Sequence, residues 1–162
     1  MNVVVDTNIV FSTLLNPKSA VGEILMNLQD KFAFFAPELL IDELERYTPK
    51  ISAYSKLAPH QLNQIKQLIV TNLTMVSEEL ISEQSWIAAY ELTKDVDEDD
   101  TPFVALAIEL DTKLWTGDKA LIKGLQNKGA DFIINTIHQL GNNLLPNCPT
   151  TCWIKSLGAT IY

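Results

Sequence analysis

The sequence predicts an α/β domain on a parallel sheet with right-handed crossovers. Two observations carry this. Short β-branched or aromatic runs alternate with longer stretches of helical periodicity. The first run, Val3-Val4-Val5, is apolar on both faces, as a strand buried on both sides requires. The length, 162 residues, fits one domain able to bury a core without disulfides or a structural metal.

The elements follow in order. Val3-Val4-Val5 is a buried strand that ends on Asp6. Asn16-Pro17-Lys18-Ser19 is a turn, and residues 20–28 form a helix with Val21, Ile24, Leu25 and Leu28 on one face. Residues 32–36 are a second strand, expected to stop at Pro37, and 38–47 a short helix. Residues 59–73 form another helix, carrying Leu62, Ile65, Leu68 and Ile69, and 74–76 a brief strand. Residues 85–93 are helical; the acidic run 95–100 follows, then an apolar helix over 102–110. That helix is apolar almost all round and is therefore expected to be buried. Residues 113–116 are a strand, 118–127 a helix, 132–134 a strand and 136–140 the start of a last helix. The expected domain covers 1–141. The tail, 142–162, holds Pro146 and Pro149, reads as irregular and is expected to pack on or near the domain.

Twelve Lys and Arg face twenty Asp and Glu, a net charge of −8. That argues against general adhesion to nucleic acid or anionic membrane, but not against a nucleic-acid enzyme, whose cation-loading site is itself acidic. No apolar run reaches membrane-span length and no signal peptide is visible, so a cytoplasmic protein is expected. Cys148 and Cys152 are expected as reduced thiols, although a C-x3-C pair can also bridge or bind metal. His60 and His138 stand in no ligand spacing.

The chemistry lies in the carboxylates. Ligands of an open parallel sheet bind beyond the carboxyl ends of its strands. Asp6 follows the first strand, Asp118 follows Trp115-Thr116-Gly117, and Asp100 opens the apolar helix leading into that strand. Glu43 lies on the helix after the second strand; its neighbours three and four positions away are Leu39, Leu40 and Tyr47, so it points toward the apolar side. Asp42, beside Glu38, Glu45 and Arg46, points toward water. Plainer readings stand beside these: Asp100 and Asp118 as helix N-caps, Asp6 satisfying turn amides, Glu43 as one more solvated acid. Asp97 and Asp99 are substitutes for Asp100 within a solvated acidic loop. Taken together, four acids on one cleft repel each other, and a hard cation such as Mg²⁺ or Mn²⁺ removes that penalty.

Asp6-Thr7-Asn8, then Glu43, then Asp100-Thr101-Pro102-Phe103-Val104-Ala105-Leu106-Ala107, then Thr116-Gly117-Asp118 resembles, in this order, the PIN-domain ribonucleases. The similarity is greatest to the bacterial branch of toxin components of toxin–antitoxin pairs related to VapC. The resemblance covers about residues 1–140. It implies a three-layer α/β/α sandwich and cleavage of RNA with one or two Mg²⁺ or Mn²⁺ ions, leaving a 5′ phosphate. It implies that Asp6, Glu43, Asp100 and Asp118 are catalytic. Asp6, Asp100 and Asp118 would hold the metal, with Asn8 and Thr116 orienting them. Lys119 and Lys123, four apart on the helix after Asp118, are candidates for RNA phosphates, as is Lys18; a solvated helix face is the plainer reading. Expected partners are RNA, an antitoxin and a second copy of the chain. Leu14, Leu15, Leu25 and Leu28 are candidates for such a protein interface, with core packing as the alternative.

Two other functions compete. A HAD-like phosphohydrolase, which works through a covalent phosphoaspartate, also places an Asp after its first strand, but wants a second Asp where Asn8 stands. A receiver-type signalling domain needs an acidic pair near the first strand, which Asn2-Val3-Val4-Val5 does not supply. A catalytically idle PIN-like module that binds protein or RNA is the non-enzyme reading.

Overall fold

The computed structural model describes residues 1–135. The expected helix at 136–140, the tail, His138 and both cysteines lie outside the described residues. The strands are β1 (Asn2–Val5), β2 (Ala33–Pro37), β3 (Leu73–Val76), β4 (Lys113–Trp115) and β5 (Ile133–Ile134). The helices are α1 (Thr7–Leu15), α2 (Ala20–Asn27), α3 (Leu39–Tyr54), α4 (Pro59–Asn72), α5 (Glu83–Thr93), α6 (Thr101–Glu109) and α7 (Lys119–Asn127).

The sheet runs β3-β2-β1-β4-β5 and every pairing is parallel. Val3, Val4 and Val5 are fully buried, as the central place of β1 allows: a strand buries consecutive side chains only where both faces of the sheet are covered. Each such valine contributes about 1.5–3 kcal/mol of burial. Right-handed crossovers place α1–α4 on one face and α5–α7 on the other. Accordingly α1 packs on α2 and α3, α5 packs on α6 and α7, and α6 lies across β1, β2 and β4. The apolar helix expected to be buried is α6: Phe103, Val104, Ala105, Leu106 and Ala107 all belong to the core. This is the α/β/α sandwich.

The structure corrects several expectations. Residues 7–15 form α1, a helix that the hydrophobic pattern does not single out. Ile9, Val10, Thr13 and Leu14 are its buried stripe. Pro37 belongs to β2 and does not stop it. Its missing N–H would face β1, and the β1–β2 pairing ends earlier, at Val4 and Phe35, so no ladder bond is lost. The helix expected at 38–47 continues to Tyr54, through Pro49. Burial of Leu40, Leu44 and Ile51 along one stripe sustains it against a proline cost of roughly 3 kcal/mol. Of the four leucines considered for a protein interface, Leu14 and Leu25 are core and Leu28 packs against it. Only Leu15 is exposed, at 44%.

Candidate active site

β1 and β4 are neighbours, but the chain leaves β1 toward β2 and leaves β4 toward β5. Their carboxyl ends therefore flank the point where strand order reverses, where a crevice opens. Asp6 stands at the end of β1. Thr116, Gly117 and Asp118 stand at the end of β4.

Polar bonds stitch the two ends together. Asp6 is only 3% exposed. One carboxylate oxygen, Oδ2, accepts from Asn8 Nδ2 and from Thr116 Oγ1, each at 2.5 Å. The other accepts the Asn8 backbone N–H at 3.2 Å, capping α1. Asn8 Nδ2 also donates to Thr116 Oγ1 at 3.0 Å, and Asn8 Oδ1 accepts the Gly117 N–H at 2.8 Å. Thr116 Oγ1 in turn accepts the Asp118 N–H at 3.0 Å. Gly117 suits the close approach: a Cβ there would lie 3.3 Å from Asn8 Oδ1.

The other acids differ in how they are used. Asp118 is an N-cap, in keeping with the plainer expectation for it, and accepts the N–H groups of Ala120 and Leu121 through Oδ1 at 2.7 and 2.9 Å. Asp100 precedes α6 but makes no capping bond. Its backbone is helical (φ −82°, ψ −6°), whereas a capping side chain needs an extended residue, as Asp118 is (φ −74°, ψ 113°). The half-buried Asp100 carboxylate thus has no hydrogen-bond partner among the described residues. Glu43 is half-buried where Asp42 is exposed, and it accepts a hydrogen bond from the Thr7 hydroxyl. Asp97 caps its own short turn, accepting from the Asp99 N–H at 3.0 Å, and both residues are exposed.

Charge accumulates without relief. The two ion pairs among the described residues are Lys94–Glu91 and Lys128–Asp95, and neither touches these four acids. Burial pushes Asp6 from an ordinary 3.8 up to about 6, opposed by its bonds to Thr116 and Asn8 and assisted by the charges of Glu43 and Asp118. Burial also pushes Asp100 up to about 7, assisted by Asp6, Asp97, Asp118 and Glu43. Asp6 and Asp100 therefore each feel the charges of Glu43 and Asp118, and Asp100 feels that of Asp6. As the side chains stand, though, no three His, Cys, Asp or Glu groups among the described residues are gathered closely enough to enclose an ion. The donor set fits a hard cation in kind, being all oxygen, unneutralised and, at Asp100, unpartnered. Closing on one requires side-chain movement.

Lys119 and Lys123 are exposed on α7, next to Asp118; Lys18 is exposed in the turn before α2. Two cavities, of about 600 and 490 Å³, lie elsewhere. The first is lined by Glu38, Asp42 and Glu78, the second by Met1, Asn2 and Lys113 at the opposite end of the sheet. Neither of these two cavities is lined by Asp6, Glu43, Asp100 or Asp118. The site is placed by their mutual electrostatics and by the strand ends, which bear on chemistry as enclosed volume does not. Thr7 joins the site without having been expected there, although it sits inside the Asp6-Thr7-Asn8 motif.

A parallel sheet with acids at its point of reversal defines an α/β protein with a cation-seeking crevice. The chain matches the PIN domain family over residues 4–140 and belongs to that family. No curated protein matches its sequence. Among solved structures, the fold is similar to that of a chain in the VapBC2 complex of Rickettsia felis, crystallised with a DNA fragment from its promoter. The two are 17% identical with a TM-score of 0.55, over 83% of this chain and 96% of that one.

Proposed function

We propose that this protein is a divalent-metal-dependent endoribonuclease and the toxin of a toxin–antitoxin pair. The observation that carries the reading is the crevice itself, where Asp6 and Asp100 are both pressed by their neighbours Glu43 and Asp118 and no cation among the described residues pairs with any of the four. Family membership and the likeness to a VapBC2 chain support it. Asp6, Asp100 and Asp118 would hold Mg²⁺ or Mn²⁺. When bound, the ion supplies Lewis-acid chemistry, activating water and neutralising charge on the phosphodiester. Glu43 orients the attacking water or holds a second ion. Asn8 and Thr116 fix the Asp6 carboxylate so that it turns toward the crevice without reorganising. The reading places the protein in the cytoplasm; among the described residues no helix is long and apolar enough to cross a membrane.

The test is incubation with RNA in Mn²⁺ and in EDTA. Cleavage in Mn²⁺ alone is expected, and its absence at every metal concentration removes the enzyme reading. The second reading, an idle module acting through a partner, is favoured by the lack of a three-ligand ion cage among the described residues as the crevice stands. Turnover separates the two. A protein partner, whether antitoxin or second copy, is supported by exposed Ile87 and Tyr90, three apart on α5.

RNA on an acidic protein needs local cations. In this reading Lys119 and Lys123 contact phosphates flanking the scissile one. Replacing both by Ala is expected to weaken binding alike for all RNA sequences. It should also flatten the salt dependence by about 1.4 in the log–log slope, about 0.7 per lost contact on single strands. An unchanged slope in a salt titration removes these lysines from the interface.

A further inference from the structure

Thr7 and Thr101, which open helices, differ from the threonines inside them, and of the two Thr7 alone bonds an acid, Thr101 donating to the nearby Glu98 carbonyl. Thr13, Thr48, Thr71 and Thr93 each donate to the carbonyl four residues back, within their own helices. Thr7 opens α1 and has no carbonyl of its own helix four residues behind it. Its single proton goes instead across the layer to Glu43 Oε2, thirty-six residues away. Thr7 is buried and Glu43 half-buried, so the bond is partly shielded from water. Glu43 Oε1 accepts no hydrogen bond among the described residues.

That bond opposes a definite force. The charge of Glu43 acts on both Asp6 and Asp100 in the direction that raises them, so they repel it in return. A glutamate has three rotatable bonds and, untethered, would relieve the repulsion by turning to solvent. One helical turn on, Phe11 and Tyr47 meet edge-to-face, their ring centroids 5.4 Å apart. Phe11 is four residues after Thr7 and Tyr47 four after Glu43, so the rings form a second rung between α1 and α3. They fix the helix spacing that the Thr7–Glu43 bond requires.

We propose that Thr7 is the positioning residue for Glu43, holding this carboxylate at the crevice against its own repulsion so that a cation meets four acids and not three. The inference rests on the metal-dependent reading above. It is tested by calorimetric titration with Mn²⁺ alone, alongside RNA cleavage, on the full chain and on T7V, T7S, E43A and T7V/E43A. T7V should weaken Mn²⁺ binding by about tenfold. T7S, which restores the hydroxyl but not the methyl, should recover most of the loss. In the E43A background T7V should cost nothing further, because a residue acting only through Glu43 has nothing left to act on. Equal damage from T7S and T7V, or additive losses in the double variant, shows a packing role and overturns the inference. A wild-type protein that neither binds Mn²⁺ nor cleaves RNA overturns the metal-dependent reading itself, and this inference with it. Wild-type binding that T7V leaves intact overturns this inference alone.

Discussion

Asp100→Asn is expected to lower RNA cleavage by on the order of 10³-fold in kcat/KM, about 4 kcal/mol of transition-state stabilisation, while making the metal-free protein harder to unfold. The opposite signs follow from one observation. Asp100 is half-buried, makes no capping bond and is crowded by Asp6, Asp97, Asp118 and Glu43. Without an ion its charge is a burden, so a neutral isostere of nearly the same shape stabilises the fold. With an ion, that charge is a ligand and the amide is a poor replacement. Urea unfolding in EDTA and cleavage in Mn²⁺ read the two effects separately. If Asp100→Asn lowers the urea midpoint as well, the carboxylate has a structural partner and the site assignment is wrong. Asp118→Asn serves as the contrast: asparagine can accept the same two amide protons, but the negative charge at the N-terminus of α7 is lost, so activity should fall and stability should fall too, by about 1 kcal/mol or less.

The second large effect is of pH and metal together. Asp6 and Asp100 titrate near 6 and near 7 in the folded protein, against an ordinary 3.8. Between these values the folded state binds more protons than the unfolded chain, so stability falls as pH rises. As far as these two groups decide it, the metal-free protein should be most stable below about pH 3.8, the ordinary value of the unfolded carboxyls. It should lose that contribution progressively up to about pH 7, with none left to lose above. Mn²⁺ should reverse the trend, because deprotonated acids bind it and protonated ones do not. At a hundredfold excess over its Kd the ion contributes about 2.7 kcal/mol, or about 5–11 °C in Tm for a chain of this size. The shift should be large at pH 8 and small at pH 5. Thermal melts across pH, with EDTA and with Mn²⁺, check both signs. Equal shifts at the two pH values would mean that the ion binds elsewhere.

Much of this architecture is legible in the chain, for physical reasons that also mark where legibility ends. Val3-Val4-Val5 announces an interior strand because it is short, β-branched throughout and apolar on both faces. The helical neighbours of Glu43 and Asp42 separate an inward acid from an outward one by spacing alone. α1 is hidden because its signals are compressed: Asp6 is both strand-end acid and helix cap, and no turn residue divides the two elements. The reach of α3 past Pro49 is hidden because local backbone chemistry argues against it, and only burial of Ile51 against the body outweighs that. The capping of Asp118 but not of Asp100 depends on one backbone dihedral at each, which residue type does not encode. The Thr7–Glu43 bond depends on how α1 lies against α3, a property of the packed layer and not of either segment.

The direction of one hydrogen bond separates this crevice from another enzyme chemistry. Asn8 offers Asp6 a proton through Nδ2 while its Oδ1 holds the loop at Gly117. An aspartate at that position, differing by a single atom, could keep the second contact but would turn the first into a clash of lone pairs. The carboxylate of Asp6 would keep its bonds from the Thr116 hydroxyl and from the backbone N–H of residue 8, but lose the one from the carboxamide. By donating there, the carboxamide withholds the second carboxylate that a phosphoaspartate chemistry wants two residues after the first, and a one-letter change that supplied it would cut one thread of the seam between the two strand ends.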